Sequence, residues 1–278
     1  MYFREYLAQE TTISVNDILL IVICSAIFAL FRLLMNKLFL RPLSVFALPK
    51  MQKKFVNRGF DTIHYILSAT IGTLAFLQQP YAHCPFYILD CREWLGQSGD
   101  IFTCSIFEKI YYVYFASYYF SDVFWLHTCS DIKMLIFHHI FTISLIVTCV
   151  IVCRPVYGLS IMLFHDWVDV FLYSGKIATY LGKKFAADIC LVIFGILFFY
   201  LRIFGCSSIV YTLIKDSVNH PQTVHQNVFY FGCGLFLLLI TCHIIWGIDI
   251  VKALIRVLKG EQIHDTRSDP GSPKVKPE

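Results

Sequence analysis

IKMLIFHHIFTISLIVTCVIV (residues 132–152) and, in the apolar run that follows it, FHDWVD (residues 164–169) decide how this chain is read. Roughly 20 apolar residues carry a helix across a bilayer, and the first stretch is that long, yet His138 and His139 lie inside it. The second stretch puts His165, Asp166 and Asp169 into an equally apolar setting. An Asp or Lys at the bilayer centre costs ~2.5–3.5 kcal/mol on the insertion scale. Such groups therefore face a protein interior or a water-filled cavity, where they do chemistry or move ions.

The rest of the chain agrees with a membrane setting. Its 278 residues are 57% hydrophobic and 15% charged, against about 25% charged in a soluble domain. The mean hydropathy is +0.64. These values indicate an all-α polytopic membrane protein. A net charge of +4 gives no case for nucleic acid. Arg4, Glu5, Glu10 and Asp17 precede the first apolar run, which starts at Ile18, so that run reads as a retained helix and not a cleaved signal. Most cysteines, among them Cys24, Cys149, Cys190, Cys233 and Cys242, sit in apolar runs as small hydrophobes. No Cys-x-x-Cys pair points to zinc. Cys84 and Cys91 share a loop and form the one pair considered for a disulfide. Gly182, Lys183 and Lys184 lack the remainder of a phosphate-binding loop, and no solenoid repeat or N-glycosylation sequon occurs.

Seven runs are long enough to span: Ile18–Asn36, Phe60–Leu77, Cys104–Leu126, Ile132–Val152, Tyr157–Tyr180, Ala186–Leu213 and Gln226–Leu254. Asp61 and His64 make the second the weakest. Basic residues gather on alternate loops: Lys37, Arg41, Lys50, Lys53, Lys54 and Arg58, then Lys133, then Lys183 and Lys184, then Lys252, Arg256 and Lys259. The other side carries Arg4, Arg92, Arg154 and Lys215. The positive-inside rule then puts the N-terminus in the lumen and the C-terminus in the cytosol. Lys274 and Lys276 resemble a dibasic endoplasmic-reticulum retrieval signal, which is read on the cytosolic side. A solvated basic tail is the plainer reading of the same residues.

On a helix, positions three and four apart share a face. Asp166, Asp169, Tyr173 and Lys176 form such a stripe on the fifth run. His138 and His139 are adjacent and point about 100° apart, so they address different neighbours. His138 lies ~10 Å from the cytosolic end of its helix, a depth close to that of Asp169. A histidine near neutrality takes and returns a proton, and a carboxylate can orient it. Histidine can also be the nucleophile. The set therefore fits acyl transfer, proton transfer or metal binding, although no metal-ligand spacing singles out zinc. Arg202 in the sixth run, and His243 and Trp246 in the seventh, could line the same cavity or be structural.

These residues resemble the motif of the ceramide synthase (longevity-assurance, Lag-type) branch of the TRAM-Lag-CLN8, or TLC-domain, family. The matching parts are His138 and His139 within residues 131–142, His165-Asp166-x-x-Asp169 within residues 162–172, and the K-x-A-x-Y ending at Lys176–Tyr180. Weaker likeness runs from Lys54 and Phe55 through Arg202 to His243 and Trp246, and includes Thr266–Asp269 in the tail. The chain departs from the family pattern at Tyr173, where Glu is frequent, and in the lead into the second span at residues 54–60.

The resemblance implies six helices, spans two to seven, bundled around an intramembrane tunnel. It divides the chain into residues 1–59 (lumenal N-terminus, first helix and basic linker), 60–258 (catalytic TLC domain) and 259–278 (disordered cytosolic tail). It implies a transferase of sphingolipid biosynthesis in the endoplasmic reticulum membrane, joining the acyl group of acyl-CoA to the amine of a sphingoid base, with no cofactor and no bound metal. A homo- or hetero-dimer is compatible with it. His138, His139, Asp166 and Asp169 are the expected catalytic residues. His165, Tyr173, Lys176, Arg202, His243 and Trp246 are the expected substrate-binding residues. The rival readings are a non-catalytic TLC-family protein that handles lipid or sorts cargo, and a proton-coupled transporter or a receptor.

Overall fold

The computed structural model describes residues 6–14, 16–79, 81–83, 103–129, 132–152, 155–219 and 226–258. Arg4, Arg92, Arg154, Asp131, the Cys84 and Cys91 loop, residues 220–225 and the tail from Lys259 lie outside the described residues.

Helix dominates. Helix α1 is Asn16–Met35, prolonged by a π-helical stretch Asn36–Leu40 and two short turns to Phe46. Then come α2 (Gln52–Leu77), α3 (Ile106–Asp122) with a 3-10 extension Val123–Thr128, α4 (Ile132–Ile151) and α5 (Pro155–Tyr180). Helix α6 (Lys184–Leu197) runs through a π-helical segment, Phe198–Gly205, into α7 (Cys206–Asn219), and α8 is Gln226–Leu258. A small ribbon departs from the all-helical reading: β1 (Glu10–Thr12) pairs antiparallel with β2 (Thr103–Ser105), with Thr11 opposite Cys104. Ser105 then caps α3, accepting a hydrogen bond from the Glu108 amide at 3.1 Å.

Among the described residues five helices are long and apolar enough to cross a membrane: Asn16–Phe46, Pro49–Leu77, Ile132–Ile151, Lys184–Lys215 and Asn227–Arg256. The chain is an α-helical, multi-pass membrane protein. The other two expected spans correspond to α3 and α5. Helix α3 has 17 residues, and α5 carries Asp166, Asp169 and Lys176. Both are wrapped by neighbours: Tyr111, Phe115, Ser117 and Tyr118 on α3, and Leu159, Ser160 and Val168 on α5, are almost wholly buried. A helix enclosed by other helices needs no lipid-like surface.

Helix α1 shows the reverse pattern. Its buried residues are Asp17 and Arg32, while Leu19, Val22 and Ile27 are exposed. It lies along α3 and is held there by charge, with Lys109 Nζ 2.8 Å from Asp17 Oδ1 near one end and Arg32 near the other. Helices α2 and α5 pack together, α5 packs on α6, and α8 packs on α4. A Cβ on Gly72 would come within 2.6 Å of the Tyr111 ring, so this glycine lets α2 and α3 approach closely. Gly182 takes a φ of 70° just past the end of α5, the left-handed conformation that ends a helix.

An apolar seam runs between α4, α5 and α8. It begins at His165 and passes Leu145, Cys149 and Phe236 toward Tyr157 and Phe229. Two voids of about 20 Å³ each mark its course.

Candidate active site

Four histidines meet in the bundle. The two of α4 diverge, with ring centroids 6.0 Å apart and planes 80° to each other. His138 faces α5 and α8: its ring centroid is 5.7 Å from His165, 6.4 Å from His243 and 5.2 Å from Trp246. His139 faces α3, 4.8 Å from the Tyr119 ring. All of these side chains are buried; His165 and His243 are at most 1% exposed.

His138 makes no hydrogen bond, and its Nδ1 is buried without a partner. A buried, unpaired imidazole nitrogen loses its hydration with nothing in return. Buried polar atoms without partners are uncommon in protein interiors; this site holds several, His138 Nδ1, His139 Nε2 and Asp166 Oδ1 among them.

His165 and His243 are fixed by carbonyl groups. His165 Nδ1 is 2.7 Å from the Ile161 oxygen, and His243 Nδ1 is 3.2 Å from the Arg202 oxygen. A carbonyl only accepts, so both contacts ask for hydrogen on Nδ1. That leaves a lone pair on each Nε2, yet the two Nε2 atoms are 3.0 Å apart. Either one proton is shared between them, making the pair cationic, or His243 gives up its carbonyl bond to donate through Nε2. Either arrangement joins the two rings through one hydrogen bond beside His138.

Arg202 sits in the π-helical segment between α6 and α7, a local widening that redirects a side chain. One of its nitrogens, Nη2, donates to Asp169 Oδ2 at 2.6 Å and to the His165 carbonyl at 3.0 Å. Asp166 is completely buried. Its Oδ2 accepts from Ser68 Oγ at 2.5 Å and from Tyr111 Oη at 2.6 Å, and its Oδ1 is unpartnered. Neither Asp166 nor Asp169 hydrogen-bonds to His138 or His139. Asp169 locks Arg202 against the backbone of His165, and Asp166 ties α5 to α2 and α3. Tyr173 stacks on Tyr65 at 5.0 Å, with Lys176 Nζ 5.4 Å above the Tyr173 ring. These two lie ~12–17 Å further along α5 from His165.

The sequence reading missed the partner of His139. Its Nδ1 is 2.9 Å from the Leu135 carbonyl, and its Nε2 faces Asp122 Oδ2 at 3.3 Å, within ion-pair reach but out of line for a hydrogen bond. Asp122 binds Arg32 of α1 at 2.6 Å, and Arg32 also lies 2.8 Å from Asp61. Asp61 takes a second cation, Arg58 at 3.2 Å, and the hydroxyl of Tyr118 at 3.2 Å. Arg32 is stacked over Trp125 at 4.7 Å. The signal was present in the sequence, because Arg32, Asp61 and Asp122 are also charges inside apolar runs. Their connection needed the packing of three helices.

This arrangement holds one imidazole without a hydrogen bond beside the His165 end of an apolar seam, a second that meets a carbonyl and lies within ion-pair reach of a carboxylate, and a hydrogen-bonded histidine pair from α5 and α8. Such a set can take a proton from a nucleophile and return it to a leaving group. Among the described residues no group of three or more His, Cys, Asp or Glu side chains could hold a metal ion.

The family model described as the TLC domain matches residues 54–252. Ceramide synthase LOH1 of Arabidopsis thaliana is 27% identical over 237 residues, covering 80% of this chain and 74% of that protein. Ceramide synthase 1 LOH3 of the same plant is 27% identical over 236 residues, covering 79% and 75%. Ceramide synthase 4 of Mus musculus is 26% identical over 227 residues, covering 81% of this chain and 56% of its own length. The matched segment takes in every histidine of the site and leaves Arg32 outside it. With well over half of its length matched, the chain is a member of the TLC-domain family.

Proposed function

We propose that this protein is a ceramide synthase: it transfers a fatty acyl group from acyl-CoA to the amine of a sphingoid base. In the balanced step the amine nitrogen bonds to the thioester carbonyl carbon and the carbon–sulfur bond breaks. The amine proton passes to His138 and from it to the departing thiolate. An alternative order forms an acyl-imidazole on His138 first and releases the thiol before the amine attacks. The observation that carries the reading is the unpartnered His138 Nδ1 beside the His165 end of the apolar seam. His139 is the poorer candidate because both of its nitrogens already face partners.

Both substrates are amphiphiles, so a site within the bilayer suits them. The acyl chain would lie along the seam, which widens on binding into the tunnel that the family resemblance implies. Helices α3 and α5 would then span with the five apolar helices, giving seven crossings. Basic loops would face the cytosol, with the protein in the endoplasmic reticulum membrane and its N-terminus in the lumen. Asp166 and Asp169 act as supports in this scheme, through α2, α3 and Arg202.

The test is product formation by the purified full chain, reconstituted in lipid and given sphinganine with acyl-CoAs from short to very long. N-acylsphinganine is the expected product. No amide with any donor, together with saturable binding of lipid or cargo, would favour the non-catalytic TLC reading instead.

A further inference from the structure

The basic linker that orients the chain does not spread over the surface. It closes on a cavity of about 660 Å³ between the π-helical end of α1, the first turns of α2 and the 3-10 segment after α3. That volume falls in the range of ligand pockets, about 300–1,000 Å³. Five cations line it, Lys37, Arg41, Lys53, Lys54 and Arg58, and among the described residues no carboxylate does. Arg58 is neutralised by Asp61. The side chains of Lys37, Arg41 and Lys53 make no ion pair or hydrogen bond. Three uncompensated cations around one concavity repel one another and focus a positive field into it.

Neutral groups complete the lining. Asn36 presents a buried side-chain oxygen without a partner, and Trp125 contributes an indole edge beside the stack of Arg32. The cavity also adjoins the histidines. Trp125 is three residues beyond Asp122, ~6 Å along a 3-10 helix. Arg58 leads through Asp61, Arg32 and Asp122 to His139 in successive ion contacts. These contacts tie the wall of the cavity to the helices that carry the site.

We infer that this cavity is a polyphosphate seat for the nucleotide end of the acyl donor: it binds the phosphates of coenzyme A through Lys37, Arg41 and Lys53. The inference rests on acyl-CoA being the donor. An anionic lipid headgroup offers the same phosphate chemistry, and the experiment separates the two. The full chain is placed in neutral-lipid nanodiscs and titrated calorimetrically with free coenzyme A and with adenosine 3′,5′-bisphosphate. The triple variant Lys37→Gln, Arg41→Gln, Lys53→Gln should bind both roughly 30-fold more weakly, about threefold per exposed charge. Lys37→Arg with Lys53→Arg keeps the charges and should stay within about threefold of the wild type. Equal affinity of the triple variant for coenzyme A overturns the proposal. So does loss of binding to phosphatidylserine-containing nanodiscs with coenzyme A affinity unchanged, which assigns the cavity to a headgroup. The two readings fail separately. Coenzyme A binding that depends on these cations, without amide formation, removes the synthase reading and leaves the seat. Amide formation with an unchanged KM for acyl-CoA in the triple variant does the reverse.

Discussion

Replacing Arg32 by methionine tests how much α1 contributes to the site. Arg32 is 1% exposed and bridges Asp61 at 2.8 Å and Asp122 at 2.6 Å. Methionine fills much of the same volume without the charge, so the change removes the ion pairs together with the cation–π contacts to Phe60 and Trp125 and the bond to the Asn57 carbonyl. Asp61 would keep Arg58 at 3.2 Å, while Asp122 would keep only His139 at 3.3 Å. Removing one partner of a buried pair costs about 3–5 kcal/mol, because the other charge is stranded. For a protein of this size that lowers the melting temperature by on the order of 10 °C. The assay is thermal unfolding of detergent-solubilised protein, followed by tryptophan fluorescence. Adding Asp122→Asn to Arg32→Met removes the stranded charge and should recover at least half of the loss, whereas independent effects would add. An Arg32→Met protein that melts within about 2 °C of the wild type, with its activity intact, would refute the reasoning.

Other outcomes follow from single contacts. Ser68→Ala and Tyr111→Phe each take one donor from Asp166 and should cost about 1–3 kcal/mol apiece, read as loss of thermal stability. His243→Gln breaks the Nε2–Nε2 contact with His165 and should lower kcat by tenfold or more and alter the pH–rate profile; an unchanged profile would make the pair structural. Arg202→Lys keeps the charge but moves it on a shorter stem, away from the place where Nη2 joins Asp169 to the His165 carbonyl, so kcat should fall by about an order of magnitude without a matching loss of melting temperature. Phe236→Ala widens the seam where its two voids meet. Mass spectrometry of the ceramides formed should then show longer acyl chains than the wild type makes.

The sequence carried the membrane character and the chemistry-bearing residues because both rest on local composition. His138, His139, His165, Arg202, His243 and Trp246 all proved to be neighbours, and each had stood out as a polar or ionisable group in an apolar run. Pairing was less legible. Asp166 and Asp169 were read as histidine partners from helical spacing, which reports a shared face of α5 and nothing about which helix meets it. Their hydrogen bonds lead instead to Ser68 and Tyr111, and to Arg202. Asp122 was passed over because only the docking of α1 on α3 brings Arg32 to it. The ribbon of Glu10–Thr12 with Thr103–Ser105 joins segments about ninety residues apart, beyond any periodicity argument. The basic linker was legible as charge, but its closure into a cavity depends on where α2 and the 3-10 segment converge.

The most direct measurement compares His138→Ala with His139→Ala in a single-turnover assay of amide formation, using reconstituted full chain, sphinganine and a radiolabelled acyl-CoA. Loss of a proton-transferring imidazole costs about 10²–10⁴-fold in rate. The structure predicts that loss for His138→Ala and a smaller one for His139→Ala, with both proteins folded by size-exclusion and melting behaviour. Full activity of a folded His138→Ala protein would contradict the account.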